Sequence, residues 1–211
     1  MQRSWFAVDG TLEPIDFDGL SYIRFPEQVA EEAITRYSRP GDWVLDPFCG
    51  FGTTLVVAQR LGRQAVGFEM DASRAAFAAS RVVPPAAVVH ACSEDVTEGP
   101  WPPFALLLTS PPYGSFRGNE DDDDVATYVD DAQRLFSGLT RFLMPEATVV
   151  VEVSQVRQGS RTRPLVWQLG DALSELFAFR EDVVRVNTGG DDAGPGYDHS
   201  HLLVFQHAGT G

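Results

Sequence analysis

The chain has 211 residues, 44% of them hydrophobic, and its 16 basic residues against 30 acidic ones give a formal net charge of −14. This size predicts a single domain with one sizeable core. The charge argues against stable binding to duplex nucleic acid, which depends on a basic surface. The two cysteines exclude a disulfide scaffold, and the absence of a long apolar stretch or signal peptide leads us to expect a cytoplasmic protein that makes no membrane contact.

Helices and strands alternate along the chain. Apolar residues recur at helical spacing in one set of segments and form short unbroken runs in the other. Helices are predicted over 25–38, 53–62, 72–82, 125–143 and 164–177. Strands are predicted over 43–46, 65–69, 86–91, 104–110, 147–153, 182–187 and 201–206. This order predicts an α/β fold with a mostly parallel seven-stranded sheet, helices on both faces and the last two strands as an antiparallel hairpin at the sheet edge.

Three of the predicted strand ends carry polar or special residues. The first strand runs into the sequence DPFCGFGTT, from Asp46 to Thr54, where a glycine turn opens a helix. The second strand ends at Glu69, 23 residues after Asp46, near the spacing at which an acid binds ribose hydroxyls. A later strand ends in Ser110, followed by Pro-Pro-Tyr. Ligands of such sheets bind at the carboxyl ends of the strands, so these residues predict one shared site.

The motifs DPFCGFGTT, GFEMD and TSPPYG resemble those of the S-adenosylmethionine-dependent amino-methyltransferases that modify adenine N6 or cytosine N4 in DNA. The resemblance implies a Rossmann-like class I methyltransferase fold, S-adenosylmethionine as cofactor and an amine-bearing substrate. The glycine turn precedes the Pro-Pro-Tyr segment, an order also found in some RNA guanine-N2 methyltransferases. About 98 residues follow Tyr113, and the sheet needs most of them, so we expect one catalytic domain, 1–211, without a separate target-recognition domain.

The cofactor site is expected to begin at the glycine turn. Bare backbone and a positive helix end would meet the methionine moiety, and Glu69 would accept hydrogen bonds from the two ribose hydroxyls. Met70 would pack on the adenine and Asp95 accept from its amino group, with Glu94 as the alternative. The full predicted cofactor set is Phe25, Pro26, Asp46, Pro47, Phe48, Cys49, Gly50, Gly52, Thr53, Thr54, Glu69, Met70 and Asp95.

The catalytic set is expected to be Ser110, Pro111, Pro112 and Tyr113. The Ser110 hydroxyl and the Pro111 carbonyl would accept the two hydrogens of an exocyclic amine, while Tyr113 stacks on the ring. Rate would come from alignment and from acceptors near the developing positive charge. We expect neither a metal nor a covalent intermediate.

Several residues are candidates for contacts with the substrate. Arg117, Arg157, Arg161, Arg163 and His199 are candidates for substrate contacts, and each of them has a structural alternative as a solvated or paired side chain. Trp5 and Phe6 either cap the pocket or anchor the terminus. The run Glu120–Asp124 is either a solvated loop or a lid. The acceptor is a nucleobase in DNA, RNA or a nucleoside, or else the amine of a small molecule, and homodimerisation is left open.

Overall fold

The computed structural model describes residues 4–9, 15, 26–93, 99–112, 125–158, 161–188 and 199–209. The helices of these residues are α1 (Glu27–Tyr37), α2 (Thr53–Arg60), α3 (Ala72–Ser80), α4 (Val125–Leu139) and α5 (Leu165–Ser174). The strands are β1 (Trp5–Val8), β2 (Trp43–Asp46), β3 (Gln64–Glu69), β4 (Ala87–His90), β5 (Phe104–Thr109), β6 (Leu143–Val153), β7 (Val156–Gln158), β8 (Arg161–Arg163), β9 (Ala178–Asn187) and β10 (His199–Gln206). None of the described helices is both long and apolar enough to cross a membrane.

Eight of these strands form one sheet in the order β1-β9-β10-β6-β5-β2-β3-β4. β10 is antiparallel to both of its neighbours, and the other pairings are parallel. The chain adds strands outward from β2 in one direction, through β3 and β4, and then in the other direction, from β5 to β6. The order therefore reverses between β2 and β5, the point at which sheets of this kind bind ligands.

Each face of the sheet has its own apolar core. On one face α4 and α5 pack on the sheet through residues such as Phe136 and Leu169, which are fully buried. On the other face α1 and α2 contribute buried residues such as Ile34 and Leu55. Helices thus cover both faces, as the unbroken apolar strands predict.

The carboxyl end of α1 is held by a buried arginine. Arg63, only 8% exposed, donates hydrogen bonds to the carbonyls of Ser38 at 2.7 Å and Ile34 at 3.4 Å, and to the Ser38 hydroxyl at 3.0 Å. It also donates to the carbonyl of Leu61, just after α2, at 2.7 Å. A guanidinium therefore satisfies carbonyls at the ends of two helices, where free acceptors and the negative end of the helix dipole favour a cation.

The predicted fold class is confirmed, with three differences in detail. The sheet has an eighth strand, β1, which pairs with β9, so the hairpin of β9 and β10 does not form the sheet edge as expected. α4 ends at Leu139 rather than at 143, and β6 begins at Leu143 because that residue pairs with Phe104. The short hairpin of β7 and β8 was not predicted.

Candidate functional site

The three strand ends singled out in the sequence lie side by side in the sheet. Asp46 ends β2 and is in register with Gly67, two residues before Glu69 ends β3. Thr109 ends β5, the other neighbour of β2. The glycine turn, Glu69 and the segment that begins at Ser110 therefore share one edge of the sheet.

Asp46 joins two of these segments through hydrogen bonds. Its Oδ1 accepts from the amide of Phe48 at 3.1 Å and from the hydroxyl of Thr109 at 2.8 Å. The side chain is 2% exposed, and burial raises the pKa of Asp46 to about 6, although the hydrogen bonds oppose the change. The nearby charge of Glu69 raises the pKa further. Asp46 is thus a strand-end carboxylate whose main contacts are structural, and Thr109 is a partner that the sequence did not reveal.

The glycine turn is closed by its own backbone. The amide of Cys49 donates to the carbonyl of Phe68 at 2.9 Å, which joins the turn to β3. The amide of Gly52 donates to the carbonyl of Cys49 at 2.7 Å. Gly50 has φ +52°, and a Cβ placed on it would meet no atom within 4 Å. The turn therefore leaves open space directly above bare backbone, next to the first turn of α2.

The other residues of the predicted cofactor set differ in exposure. Thr53 and Thr54, in the first turn of α2, are 7% and 1% exposed, and Pro47 is buried before the turn. Pro26 is buried at the start of α1. Phe48 is half-buried. Phe25, Glu94 and Asp95 lie outside the described residues, so their predicted roles stay predictions.

Glu69 is buried and already bonded on one oxygen. Its Oε1 accepts from the amide of Asp71 at 2.8 Å and from the guanidinium of Arg74 at 2.7 and 3.1 Å. Within the described part of the chain, Oε2 accepts no hydrogen bond. Met70, the next residue, is 47% exposed. Arg74, in α3, orients the carboxylate of Glu69 and was not predicted as a site residue.

Ser110 contacts a second buried carboxylate. Its hydroxyl donates to Oε2 of Glu152 on β6 at 2.7 Å, and Glu152 is 6% exposed. Pro111 is buried and Pro112 is exposed. Glu152 was not predicted as a site residue, although it is an acid inside the apolar run VVVEV. Of the remaining candidates, Tyr113, Arg117 and the run Glu120–Asp124 lie outside the described residues.

The basic candidates lie on different elements. Arg157 is in β7, while Arg161 and Arg163 are in β8, which leads into α5. His199 begins β10, and its ring lies 5.5 Å from that of His201. Because β10 is antiparallel, its start lies at the same sheet edge as Ser110.

The N-terminal aromatic residues lie far from β5 along the sheet. Trp5 and Phe6 are in β1, which is separated from β5 by three strands. Trp5 is 50% exposed. Phe6 packs against the core on the α1 face, so anchoring of the terminus to the core fits Phe6 but not the exposed Trp5.

Comparisons with known proteins bear on one part of this site. A sequence profile of the DNA methylase family matches residues 20–80. The type II methyltransferase M.MthZI of Methanothermobacter thermautotrophicus is 43% identical over 69 residues, which span 32% of this chain and 19% of that protein. The resemblance to the DNA methylases is confirmed. The methylase-like segment, residues 20–80, contains α1, the glycine turn and Glu69, and it ends before Ser110.

Solved structures extend the likeness to the whole fold. TrmN of Thermus thermophilus superimposes with a TM-score of 0.62 at 18% identity, over 86% of this chain and 48% of that one. An S-adenosylmethionine-dependent O-methyltransferase of Thermotoga maritima gives a TM-score of 0.60 at 13% identity, over 92% and 69% of the two chains. The fold around the methylase-like segment is thus that of the class I methyltransferases, and the sequence relatives and these structural neighbours alike are methyltransferases.

Proposed function

We propose that the chain is an S-adenosylmethionine-dependent N-methyltransferase that acts on the exocyclic amine of a nucleobase. One observation carries the proposal: the Thr109 hydroxyl bonds to Asp46 at 2.8 Å, so the glycine turn and the Ser-Pro-Pro segment are joined directly. A donor held by the first and an amine held by the second would therefore be neighbours. Alignment of this kind supplies much of the rate of a group transfer.

The residues at the edge of β2 and β3 suit the cofactor. The space above Gly50 would admit a methionine carboxylate against bare amides and the positive end of α2. Oε2 of Glu69 would accept from the ribose hydroxyls, and the exposed side chain of Met70 would cover the adenine. When bound, S-adenosylmethionine would supply an activated methyl group on a sulfonium.

The Ser-Pro-Pro segment would hold the acceptor. A ring amine is a poor nucleophile because its electron pair is delocalised into the ring. The Ser110 oxygen and the Pro111 carbonyl would accept the two amine hydrogens and turn the nitrogen toward the methyl group, with Tyr113 stacked on the ring. The prolines contribute no backbone donor, so the segment offers acceptors alone.

A small-molecule amine is the second candidate acceptor, and charge favours it. The chain carries a net charge of −14, and Glu120–Asp124 follow closely on Tyr113 in the sequence. Such a surface would repel a polyphosphate chain and attract a cationic amine.

Two measurements test the proposal. Calorimetry with S-adenosylhomocysteine on the folded chain should show binding. Incubation with methyl-labelled S-adenosylmethionine should then transfer label to a single-stranded oligonucleotide containing adenine and cytosine, or to free adenosine or cytidine. Transfer to small amines alone would support the second candidate. No affinity for S-adenosylhomocysteine would refute the cofactor assignment and with it the function.

Gly50→Ala provides a sharper test of the cofactor site. Gly50 and Gly41 both have positive φ, +52° and +92°, and an added Cβ meets nothing within 4 Å at either position. Alanine at either position should cost about 1–2 kcal/mol of folding free energy through backbone strain. Only Gly50→Ala places a methyl group in the proposed site, so it should weaken S-adenosylhomocysteine binding at least tenfold while Gly41→Ala does not. Equal affinities for the two variants would contradict the placement.

A further inference from the structure

The end of β5 lies between two buried carboxylates. The Thr109 hydroxyl donates a hydrogen bond to Asp46 on β2, and the hydroxyl of the next residue, Ser110, donates a hydrogen bond to Glu152 on β6. The two acceptors stand on the strands that flank β5 on either side. The contact of Thr109 joins the Ser-Pro-Pro segment to the glycine turn. The contact of Ser110 with Glu152 involves none of the residues assigned to the cofactor.

Glu152, like Asp46, is a buried carboxylate that no cation of the described residues neutralises. It is 6% exposed, and within the described residues its one hydrogen bond comes from Ser110 and no cation pairs with it. Glu69, also buried, is instead paired with Arg74 at 2.7 Å. A buried carboxylate without a cation costs several kcal/mol of stability relative to an apolar residue. A chain that retains such a group gains something other than stability from it.

The contact fixes how Ser110 faces the site. A serine hydroxyl has one proton and two electron pairs, and an ionised carboxylate can only accept hydrogen bonds. Because the proton of Ser110 points to Glu152, the oxygen presents only electron pairs to a molecule above the segment. Ser110 can then accept from an N–H group and cannot donate to a ring nitrogen or a carbonyl.

We propose that Glu152 is a positioning residue that acts through Ser110: it makes the serine an obligate acceptor for the substrate amine and receives the proton that the amine loses. The proposal rests on the proposed N-methyltransferase function. It adds a residue on β6 that lies outside the methylase-like segment and outside the Ser-Pro-Pro-Tyr sequence.

The proton balance is simple. As the nitrogen–methyl bond forms, the carbon–sulfur bond breaks with its electron pair left on sulfur, and the nitrogen becomes positively charged. The Ser110 oxygen accepts a proton from this nitrogen while its own hydroxyl proton passes to Oε2 of Glu152. The carboxylate becomes a neutral carboxylic acid and later releases the proton to solvent.

The experiment is a double-mutant cycle on the whole chain with four forms, wild type, Glu152→Gln, Ser110→Ala and the double variant, to which single control variants are added. The acceptors are the single-stranded oligonucleotide containing adenine and cytosine, adenosine and cytidine. We expect Glu152→Gln to lower kcat about 100-fold, in the range found for lost proton transfer, with KM for the acceptor changed less than threefold. Since both residues act on one path, the double variant should be no slower than Ser110→Ala. Glu152→Asp, which keeps the carboxylate, should recover part of the rate.

A matched control and two readouts without turnover guard against a merely structural effect. Glu181 also accepts one hydroxyl hydrogen bond, from Tyr37 at 2.9 Å, so Glu181→Gln makes the same chemical change away from the site and should leave kcat unchanged. S-adenosylhomocysteine should bind wild type and Glu152→Gln with equal affinity. Unfolding free energies of the four forms should be non-additive, because Ser110 and Glu152 share a hydrogen bond.

The outcomes separate this inference from the function on which it rests. A wild type that transfers label to none of the acceptors refutes the proposed function and the inference together. An active wild type whose Glu152→Gln variant keeps kcat within threefold refutes the inference alone. So does a double variant whose loss is the product of the two single losses, or a loss of S-adenosylhomocysteine affinity as large as the loss of kcat.

Discussion

Asp46 shows how much one strand-end residue can affect the folded state. Its carboxylate is 2% exposed and has hydrogen-bond donors but no cation among the described ion pairs. Burial therefore raises the pKa of Asp46 from 3.8 to about 6. The folded chain holds this proton more tightly than the unfolded chain does. The stabilisation that comes from the protonated Asp46 carboxyl is thus fully present below pH 3.8 and is lost as the pH rises through about 6.

Asp46→Asn should consequently stabilise the cofactor-free chain above pH 6. The amide keeps an oxygen that can accept from Thr109 and removes a buried charge, so we expect a gain on the order of 1–3 kcal/mol at pH 7.5. Urea unfolding at pH 7.5 and pH 4.5 measures the gain, which should shrink at the lower value. A destabilisation that grows with rising pH would contradict the assignment.

At this scale the sequence predicted some site residues and missed others for a physical reason. Asp46, Glu69 and Ser110 stand in local motifs, at the ends of strands that apolar runs make visible. Thr109 and Glu152 act through contacts that span 63 and 42 positions of the chain. Such partners depend on which strands become neighbours and in which register, and neither is encoded in a local pattern.

At the scale of elements, Arg63 joins the ends of α1 and α2. It donates to the carbonyls of Ile34, Ser38 and Leu61 from a position that is 8% exposed. Arg60, three residues earlier, instead forms ion pairs with Glu27 and Glu31 on the surface, where its side chain is 49% exposed. Arg63 therefore joins the two helices through hydrogen bonds from a buried side chain, whereas Arg60 joins them through exposed ion pairs.

Arg63→Met should destabilise the fold by about 1–3 kcal/mol, because it removes the side-chain donor from the partly buried carbonyls of Ser38 and Leu61. Arg60→Met is the matched control and should cost no more than about 1 kcal/mol, as is usual for exposed ion pairs. Thermal or urea unfolding of the two variants gives the comparison. Similar losses for both would show that the carbonyls at the helix ends find other donors.

The elements that the sequence failed to predict lack a strong apolar pattern. In β1 only Val8 is buried, and the strand exists because its backbone pairs with β9. β6 begins with a stretch that includes three exposed residues, Met144, Pro145 and Glu146, which do not look like the start of a strand. Long-range backbone pairing decides both cases, whereas the central strands were predicted because burial on both faces makes them continuously apolar.

For the whole molecule, the distribution of charge limits the choice of partner. The chain has no lysine, and its 16 arginines are outnumbered by 30 acidic residues. Several of these arginines are already paired, as Arg36, Arg60, Arg74 and Arg134 are with nearby carboxylates. The charges of these four arginines are thus partly neutralised and contribute less to the tracking of a phosphate backbone.

We therefore expect weak binding of duplex DNA by this chain. Fluorescence anisotropy with a labelled duplex at 50 and 200 mM salt should give low affinity and a shallow dependence on salt, because few counterions would be released. The single-stranded oligonucleotide of the transfer assay serves as the comparison. Tight binding to the duplex with a steep salt dependence would contradict the expectation and would point to a basic surface in the residues outside the described ranges.

The two cysteines occupy chemically different places along the same edge of the sheet. Cys49 is 5% exposed within the glycine turn, and burial raises the pKa of its thiol far above the ordinary range. Cys92 follows β4 and is half-buried. A maleimide dye should thus couple to the second sulfur and spare the first. The chain carries, without any engineering, one attachment point for a fluorescent reporter beside the pocket that we assign to the cofactor.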